Sequence, residues 1–248
     1  METQVRRQTR RTAPDTLARR AYEQIRERIL RGVYRLGAPL SRRRIARELR
    51  MSNLPISEAL QRLEQEGLVE SKPRVGTRVR APSAEYTRER YILREALESQ
   101  AAREFAERAG PEQRIELQRM GAHLDRLYAS CAGVKAEQDF LYSVHTYHMN
   151  FHLWVAEAGG CHLLRAAIER EQVLIPNWLF DTVAERRTLP PGFHSNLALV
   201  LATGSPKEAE AAMWAHIRYD VESVVESIQA PGFDQWRRSK PVSERTHA

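Results

Sequence analysis

Residues 41–69, SRRRIARELRMSNLPISEALQRLEQEGLV, restrict the possible folds more than any other part of the chain. Ser41 is a good helix N-cap, and behind it Ile45, Ala46 and Leu49 fall at i, i+1 and i+4, one apolar stripe on a short helix. Ser52 opens a second helix in the same way. There Ile56, Ala59, Leu60 and Leu63 share one face, Asn53, Ser57, Gln61 and Glu64 share the other, and Gly67 closes the helix. Two helices this short cannot bury their stripes alone, so they have to pack crosswise on a third. The preceding segment supplies it, with Asp15 or Thr16 as cap, Leu17, Ala21, Ile25 and Ile29 as inward stripe, and Gly32 and Gly37 around the exit loop. After Gly67, residues 68–71 and 77–80 read as two strands joined by a loop with Lys72, Pro73, Arg74 and Gly76.

Three helices followed by a small β-hairpin are the layout of a winged helix-turn-helix. The residues at the family-defining positions are Gly32 and Gly37 ahead of Leu40, then Ile45, Ala46 and Leu49. They continue through Ser52, Pro55, Glu58, Ala59, Leu60, Leu63, Glu64, Glu66, Gly67, Leu68 and Val69 to Gly76 in the wing. On these the stretch resembles the DNA-binding domain of GntR-family bacterial transcription regulators. The resemblance implies DNA contacts from Arg42, Arg43 and Arg44, of which Arg43 falls where the family has a DNA-contacting Arg. It implies further contacts from Ser52, Asn53, Leu54, Ser57 and Arg62 on the recognition helix, and from Arg74 and Gly76 in the wing. The family usually carries Arg directly after the capping Ser and again two residues after the Pro; here those positions hold Asn53 and Ser57. Asn suits adenine N6 and N7 where Arg suits guanine, so a less guanine-centred half-site is expected, with Asn53 as the main base reader.

Charge separates the chain into two parts. Of 248 residues, the first 82 hold 20 Lys and Arg against 9 Asp and Glu, a net +11, and the remainder hold 19 against 23, a net −4. A basic N-terminal half suits phosphate contacts. We therefore expect a basic arm over 1–14, a winged helix-turn-helix over 15–82, an all-helical effector domain over 83–230 and a loose tail over 231–248. Arg6, Arg7, Arg10 and Arg11 of the arm either lie along the phosphate backbone or stay solvated. Cys131 and Cys161 are far apart and in no metal-type spacing, so neither a disulfide framework nor a thiolate zinc site is indicated. No apolar run resembles a signal peptide or spans a bilayer, so a cytoplasmic protein with no membrane partner is expected.

Beyond residue 83 every signal is helical, and the fold class is therefore mainly α. The expected helices cover residues 83–109, 111–130, a segment from after Gly133 to Gly159, a fourth from Cys161 kinked at Pro176, and a closing hairpin of 192–203 and 205–228. His148 and His152, four apart on one helix, project from the same face. His194 and His216 lie 10 residues before and 12 after Gly204, so folding the chain there sets them at nearly equal height. Four imidazoles can converge on one ion. His145 shares the stripe as a reserve candidate; His123, His162 and His247 read as structural or solvated.

This half is similar to the FCD effector domain of FadR-type regulators, through Phe151, His152, Val155, Ala156, Ala158 and Gly159 and through the spacing of His194 and His216. The resemblance implies a divalent metal on His148, His152, His194 and His216, with His148 standing where the family has Asp or Asn. An all-nitrogen set favours Zn²⁺ or Ni²⁺ over Mg²⁺ or Ca²⁺. Octahedral coordination leaves room for a small carboxylate effector, whereas a tetrahedral site is closed and structural. Arg94, in a segment resembling the family's first effector-domain helix, is the candidate clamp for that carboxylate. The expected function is ligand-responsive transcription regulation, in this family usually repression, by a homodimer on double-stranded operator DNA arranged as an inverted repeat. The alternatives are a metal-dependent hydrolase fused to a DNA-binding module, against which stands the lack of an HExxH-type spacing, and a sequence-neutral packaging protein.

Overall fold

In the computed structural model, residues 16–131, 138–171, 189–219 and 221–229 are described. The expected arm over 1–14, the kink at Pro176 and the tail from 231 lie outside them. Thr16 caps the first helix, α1 (Leu17–Leu30), its side chain accepting from Arg19 N at 3.2 Å; Asp15, the other candidate, lies outside the described residues. The inward stripe is Ala21, Tyr22, Ile25, Ile29 and Leu30. Leu17 is a correction: it lies 54% exposed, while Tyr22, outside the expected stripe, is buried and its hydroxyl donates to Glu66 at 2.8 Å.

The chain continues through β1 (Pro39–Leu40), α2 (Arg42–Leu49), α3 (Asn53–Gln65), β2 (Val69–Lys72) and β3 (Gly76–Val79). Ser41 caps α2 as expected, accepting from Arg44 N. Ser52 sits at the N-cap of α3 in extended conformation but makes no side-chain cap bond. The wing holds one strand more than the expected hairpin. β1 pairs antiparallel with β3, opposing Pro39 to Arg78 and Leu40 to Thr77, so the sheet order is β1-β3-β2. Glu70 and Arg78 form an ion pair across β2 and β3, and the Ser71 and Thr77 hydroxyls meet at 3.0 Å. Gly67, at φ +78°, turns the chain from α3 into β2; a Cβ there would sit 2.4 Å from the Tyr86 hydroxyl. Ile25, Ile56, Leu63 and Val79 are fully or almost fully buried in this domain's core.

Ser83 caps α4 (Ala84–Arg108), accepting from Tyr86 N at 3.1 Å. Around it stand α5 (Pro111–Cys131), α6 (Gln138–Ala158), α7 (His162–Glu171), α8 (Phe193–Thr203), α9 (Pro206–Arg218) and α10 (Val221–Gln229). The central helix is α4, which packs against α6, α7, α8, α9 and α10. α5 lies along α8 and α6, with Ile115 exposed. Ser205 and Glu208 form a capping box with Pro206 at the first position of α9, as the sequence predicts. The single helix expected over 205–228 is instead α9 and α10. Tyr219 N bonds His216 O, three residues back at 3.4 Å, and so tightens and ends α9. Phe105, Leu117, Phe151, Val155, Ala198 and Leu201 centre the second core, and Met149 of α6 packs against both cores.

Candidate functional site

Two sites follow from this scaffold. The first is the face formed by α2, α3 and the wing. On α3, Asn53 and Leu54 are exposed at the N-terminal end, Leu54 by 68%. Ser57 is half-buried, and its hydroxyl donates to Asn53 O at 3.0 Å, so part of its bonding capacity is used within the helix. Arg42 and Arg43 are exposed at the start of α2. Arg44 is exposed too, but its Nε pairs with Glu48 at 2.7 Å. Arg62 keeps 54% of its side chain exposed; its guanidinium lies 3.8 Å from the Tyr22 ring centroid and its Nε 3.1 Å from Glu66, contacts to α1 and to the residue that ends α3. In the wing, Val75 N closes a turn on Lys72 O at 3.1 Å, with Pro73 second and Arg74 third. Arg74 has φ +63°, the left-handed conformation that the third position of a type II turn demands and that glycine usually fills. Gly76 follows at φ +106°.

The second site is the interior of the helical domain, where the four expected histidines meet. Because α6 places His148 and His152 one turn apart, their Nε2 atoms approach to 2.9 Å. The turn at Gly204 folds α9 back on α8 and brings the His194 and His216 rings to 5.4 Å between centroids, as the balanced spacing predicts. The two pairs meet through His148, 4.8 Å from the His194 ring, and through His152, 5.4 Å from that of His216. Ligand-capable nitrogens of His148, His194 and His216 all lie within 4.8 Å of one another. Phe193 stacks on His216 at 4.5 Å and contacts Tyr219 at 4.8 Å, an aromatic edge to the cluster.

Three further side chains, absent from the sequence-based list, hold the imidazoles from outside. Asp125 of α5 accepts from His194 Nδ1 at 3.0 Å and from the backbone N–H groups of His194 and Ser195 at 2.9 and 3.0 Å, so it also caps α8. Glu98 of α4 lies 2.6 Å from His152 Nδ1. The Tyr128 hydroxyl is 2.8 Å from His148 Nδ1, and its ring stacks on His194 at 5.1 Å. Arg94 is buried beside them, its Nε on Glu98 at 2.9 Å with side-chain exposures of 3% and 2%. Much of its charge is thus already committed to Glu98. Arg94, Glu98, Ala101 and Phe105 share the buried stripe of α4, so a charged pair on an otherwise apolar stripe was the signal that could have singled out Glu98.

These contacts set the protonation states. Burial, then the neighbouring His152, His194 and His216, hold His148 well below the usual imidazole value. Burial, then His152 and His194, lower His216 likewise, and burial lowers His194 although Asp125 pulls it upward. Burial alone would raise the Asp125 carboxyl, but the hydrogen bonds from His194 and Ser195 outweigh it and hold it well below the usual range. Glu98 is raised by burial, yet Arg94 and His152 together bring it down to about 2. Near neutral pH, His148, His194 and His216 are therefore uncharged, the form in which imidazole binds a metal.

The residues fit a metal ion by two further tests. His194 Nε2 and His216 Nδ1 are buried with no hydrogen-bond partner among the described residues, an arrangement that is costly unless something else satisfies them. The 2.9 Å between His148 and His152 Nε2 is close to the separation of about 3.0–3.4 Å between neighbouring nitrogens at metal–nitrogen distances of about 2.1 Å. Outer nitrogens tied to carboxylates are the usual support of metal-binding histidines.

Residues 17–79 match the model for the gntR family of bacterial regulatory proteins, and residues 89–219 match the model for the FCD domain. The HTH-type transcriptional repressor RspR of Escherichia coli K12 is 25% identical over 210 residues, 82% of this chain and 86% of that protein. A probable D-xylose utilization operon transcriptional repressor of Paenarthrobacter nicotinovorans is 37% identical over 95 residues, covering 38% of this chain and 42% of that one. Among solved structures, a putative GntR regulator from Rhodococcus sp. RHA1 superposes with a TM-score of 0.67 at 21% identity, covering 84% of this chain and 97% of its own. E. coli McbR/YncC superposes with a TM-score of 0.66 at 18% identity, covering 85% and 98%. Both share the two-domain fold.

Proposed function

This chain belongs to the gntR family of bacterial regulatory proteins, with an FCD domain as its helical half, and is a DNA-binding transcription regulator; we propose that it is a metal-containing repressor released by a small organic acid. The observation that carries this reading is the buried cluster of His148, His152, His194 and His216, backed by Glu98, Asp125 and Tyr128. These four imidazoles would hold a divalent ion, Zn²⁺ or Ni²⁺ by the preference of nitrogen ligands. When bound, the ion would supply a Lewis-acidic position for an anionic oxygen. Arg94, close enough to bear on His148 and His216 electrostatically, adds positive charge for a carboxylate, moderated by its pair with Glu98. The repressor names of two relatives support the direction of regulation.

On DNA, α3 enters the major groove with Asn53 reading adenine, while Arg42, Arg43 and Arg74 anchor phosphates. Ser52, Leu54 and Gly76 lie along the same face; Ser57 and Arg62 contribute less, since both make bonds within the domain. Two copies would address the halves of an inverted repeat, in the cytoplasm where DNA is accessible. Among the described residues no helix is long and apolar enough to cross a membrane. The hydrolase alternative is dropped: the relatives are regulators, and the nearest carboxylates, Glu98 and Asp125, are engaged by Arg94, His152, His194 and Ser195 instead of standing free as a general base.

Metal analysis by mass spectrometry on untagged protein tests the site. Stoichiometric zinc or nickel is expected in the wild type and lost in a His152→Ala, His194→Ala double variant; magnesium or calcium alone, or no metal at all, would overturn it. With metal present, small carboxylates are expected to release the protein from DNA duplexes that it selects from a random pool. Those selected duplexes also test Asn53, since a guanine-anchored half-site would contradict an adenine reader.

A further inference from the structure

The exposed N-terminal face of α3 carries Asn53, Leu54, Glu58 and Gln61, none of them a cation, and Arg62 is tied to Tyr22 and Glu66. A helix placed in a DNA groove needs positive charge on the phosphates beside it, because neutralising them supplies most of the sequence-independent affinity. That charge has to come from the flanks. On α2, Arg43 and Arg47 lie at i and i+4 on one face, and Arg50 follows directly after the helix at its C-cap, all three exposed. Their side chains have no hydrogen-bond or ion-pair partner among the described residues. Arg44, one residue off this line, is by contrast committed to Glu48.

Arg50 is the residue that makes the ridge unusual. It ends α2 in the left-handed conformation, φ +53°, while its N–H caps the carbonyls of Ala46 and Arg47. Glycine or asparagine is the ordinary occupant of such a position, since a Cβ is strained there. An exposed arginine held so gains no side-chain partner among the other described residues.

We propose that Arg47 and Arg50, continuing the line begun by Arg43, form a basic ridge that grips the phosphate backbone bordering the groove entered by α3. The proposal rests on α3 being the recognition helix. The ridge spans about 10 Å along α2, the axial length of about three nucleotides of one strand. It faces duplex phosphate and reads no bases. It supplies from α2 the cations that α3 lacks.

Salt-dependent binding to duplexes that the wild type selects from random-sequence DNA tests this, with Arg47→Gln, Arg50→Gly and the double variant. Each lost phosphate contact lowers the slope of log K against log salt by about 0.9, so the double variant is expected to lose about 1.8 per half-site. Its deficit relative to wild type then shrinks about tenfold per half-site between about 50 and 200 mM salt, while the selected sequence stays the same. Arg50→Gly separates this from a structural role: glycine relieves the left-handed strain, so the melting temperature rises or holds while affinity falls. Wild-type binding with slope and affinity unchanged in the double variant would overturn the ridge and leave the recognition helix in place. A changed selected sequence would make these residues base readers and also overturn it. Failure of the wild type to select any sequence would instead overturn the reading of α3, and the ridge with it.

Discussion

Asp125 is the residue on which most of the proposed metal site depends without being a ligand. One oxygen holds His194 at both its backbone N–H and its Nδ1, fixing the tautomer so that Nε2 faces the other imidazoles; the second oxygen holds Ser195. Asp125→Asn keeps a side chain able to cap α8, so the domain is expected to fold, but zinc affinity should fall about 10- to 100-fold in chelator competition. Unchanged affinity would show that α8 alone orients His194. Nothing in the sequence pointed to Asp125, because its partner lies 69 residues away and no spacing rule links an α5 carboxylate to a histidine that far on. His148 and His152 were legible for the opposite reason, since one helical turn joins them. His145, one turn before His148, is a buried histidine outside the expected ligand set. Burial lowers it to about 4 from the usual 6.5. A group depressed in the fold stabilises it above the unfolded value, and that contribution is lost as pH falls from about 6.5 toward 4. For His145 the loss amounts to about 3 kcal/mol. His145→Leu is expected to flatten the decline in chemical-denaturation stability between pH 7 and 4 by that order, and an unaltered profile would place the acid sensitivity in the other histidines.

Among the elements, α5 and α8 approach closely enough that Gly121 has no room for a side chain. A Cβ there would meet His194 O at 2.8 Å and the Ala198 Cβ at 2.9 Å, and the first of these is backbone that cannot swing aside. Gly121→Ala should therefore push α8 outward. A destabilisation of about 1–3 kcal/mol is expected in denaturant titration, accompanied by weakened metal binding because α8 carries His194. Full retention of both would mean that α8 shifts without disturbing its histidine. The helices themselves were readable from periodicity and stop signals. So was the hairpin at Gly204, whose capping box at Ser205 and Glu208 is local. What periodicity missed were features decided by partners elsewhere. The two-residue strand β1 is too short to show alternation and exists because β3 offers it an edge. The break between α9 and α10 at Tyr219 carries no Gly or Pro signal, and Leu17, at the first position of α1, lies exposed although it continues the apolar stripe.

Over the whole molecule, α6 links the two functional halves. Its first turns touch the winged helix: Asp139 pairs with Arg31 at the end of α1, the Arg31 guanidinium lies 4.5 Å from the Tyr142 ring centroid, and Tyr142 packs on the first core. Its next turns carry His145, His148 and His152, and Met149 between them touches both cores. A helix is stiff along its axis, so a ligand that shifts His148 and His152 by a fraction of a turn also shifts Asp139 and Tyr142 against α1. The angle of α3 would then change through the packing of α1 on α3. Regulation by this route requires that the ligand bind the DNA-competent and released arrangements with different affinity, typically by about 1–3 kcal/mol, or about 5- to 150-fold. Asp139→Ala with Tyr142→Ala removes the contacts of the first turns of α6 with α1 while leaving Met149, the histidines and α3 in place. The double variant is expected to bind metal and DNA as the wild type does, but its DNA affinity should no longer respond to a carboxylate that releases the wild type. Response retained at full strength would assign the coupling to another contact between the halves, of which Met149 of α6 and Ile228 of α10 against the first core are the next candidates.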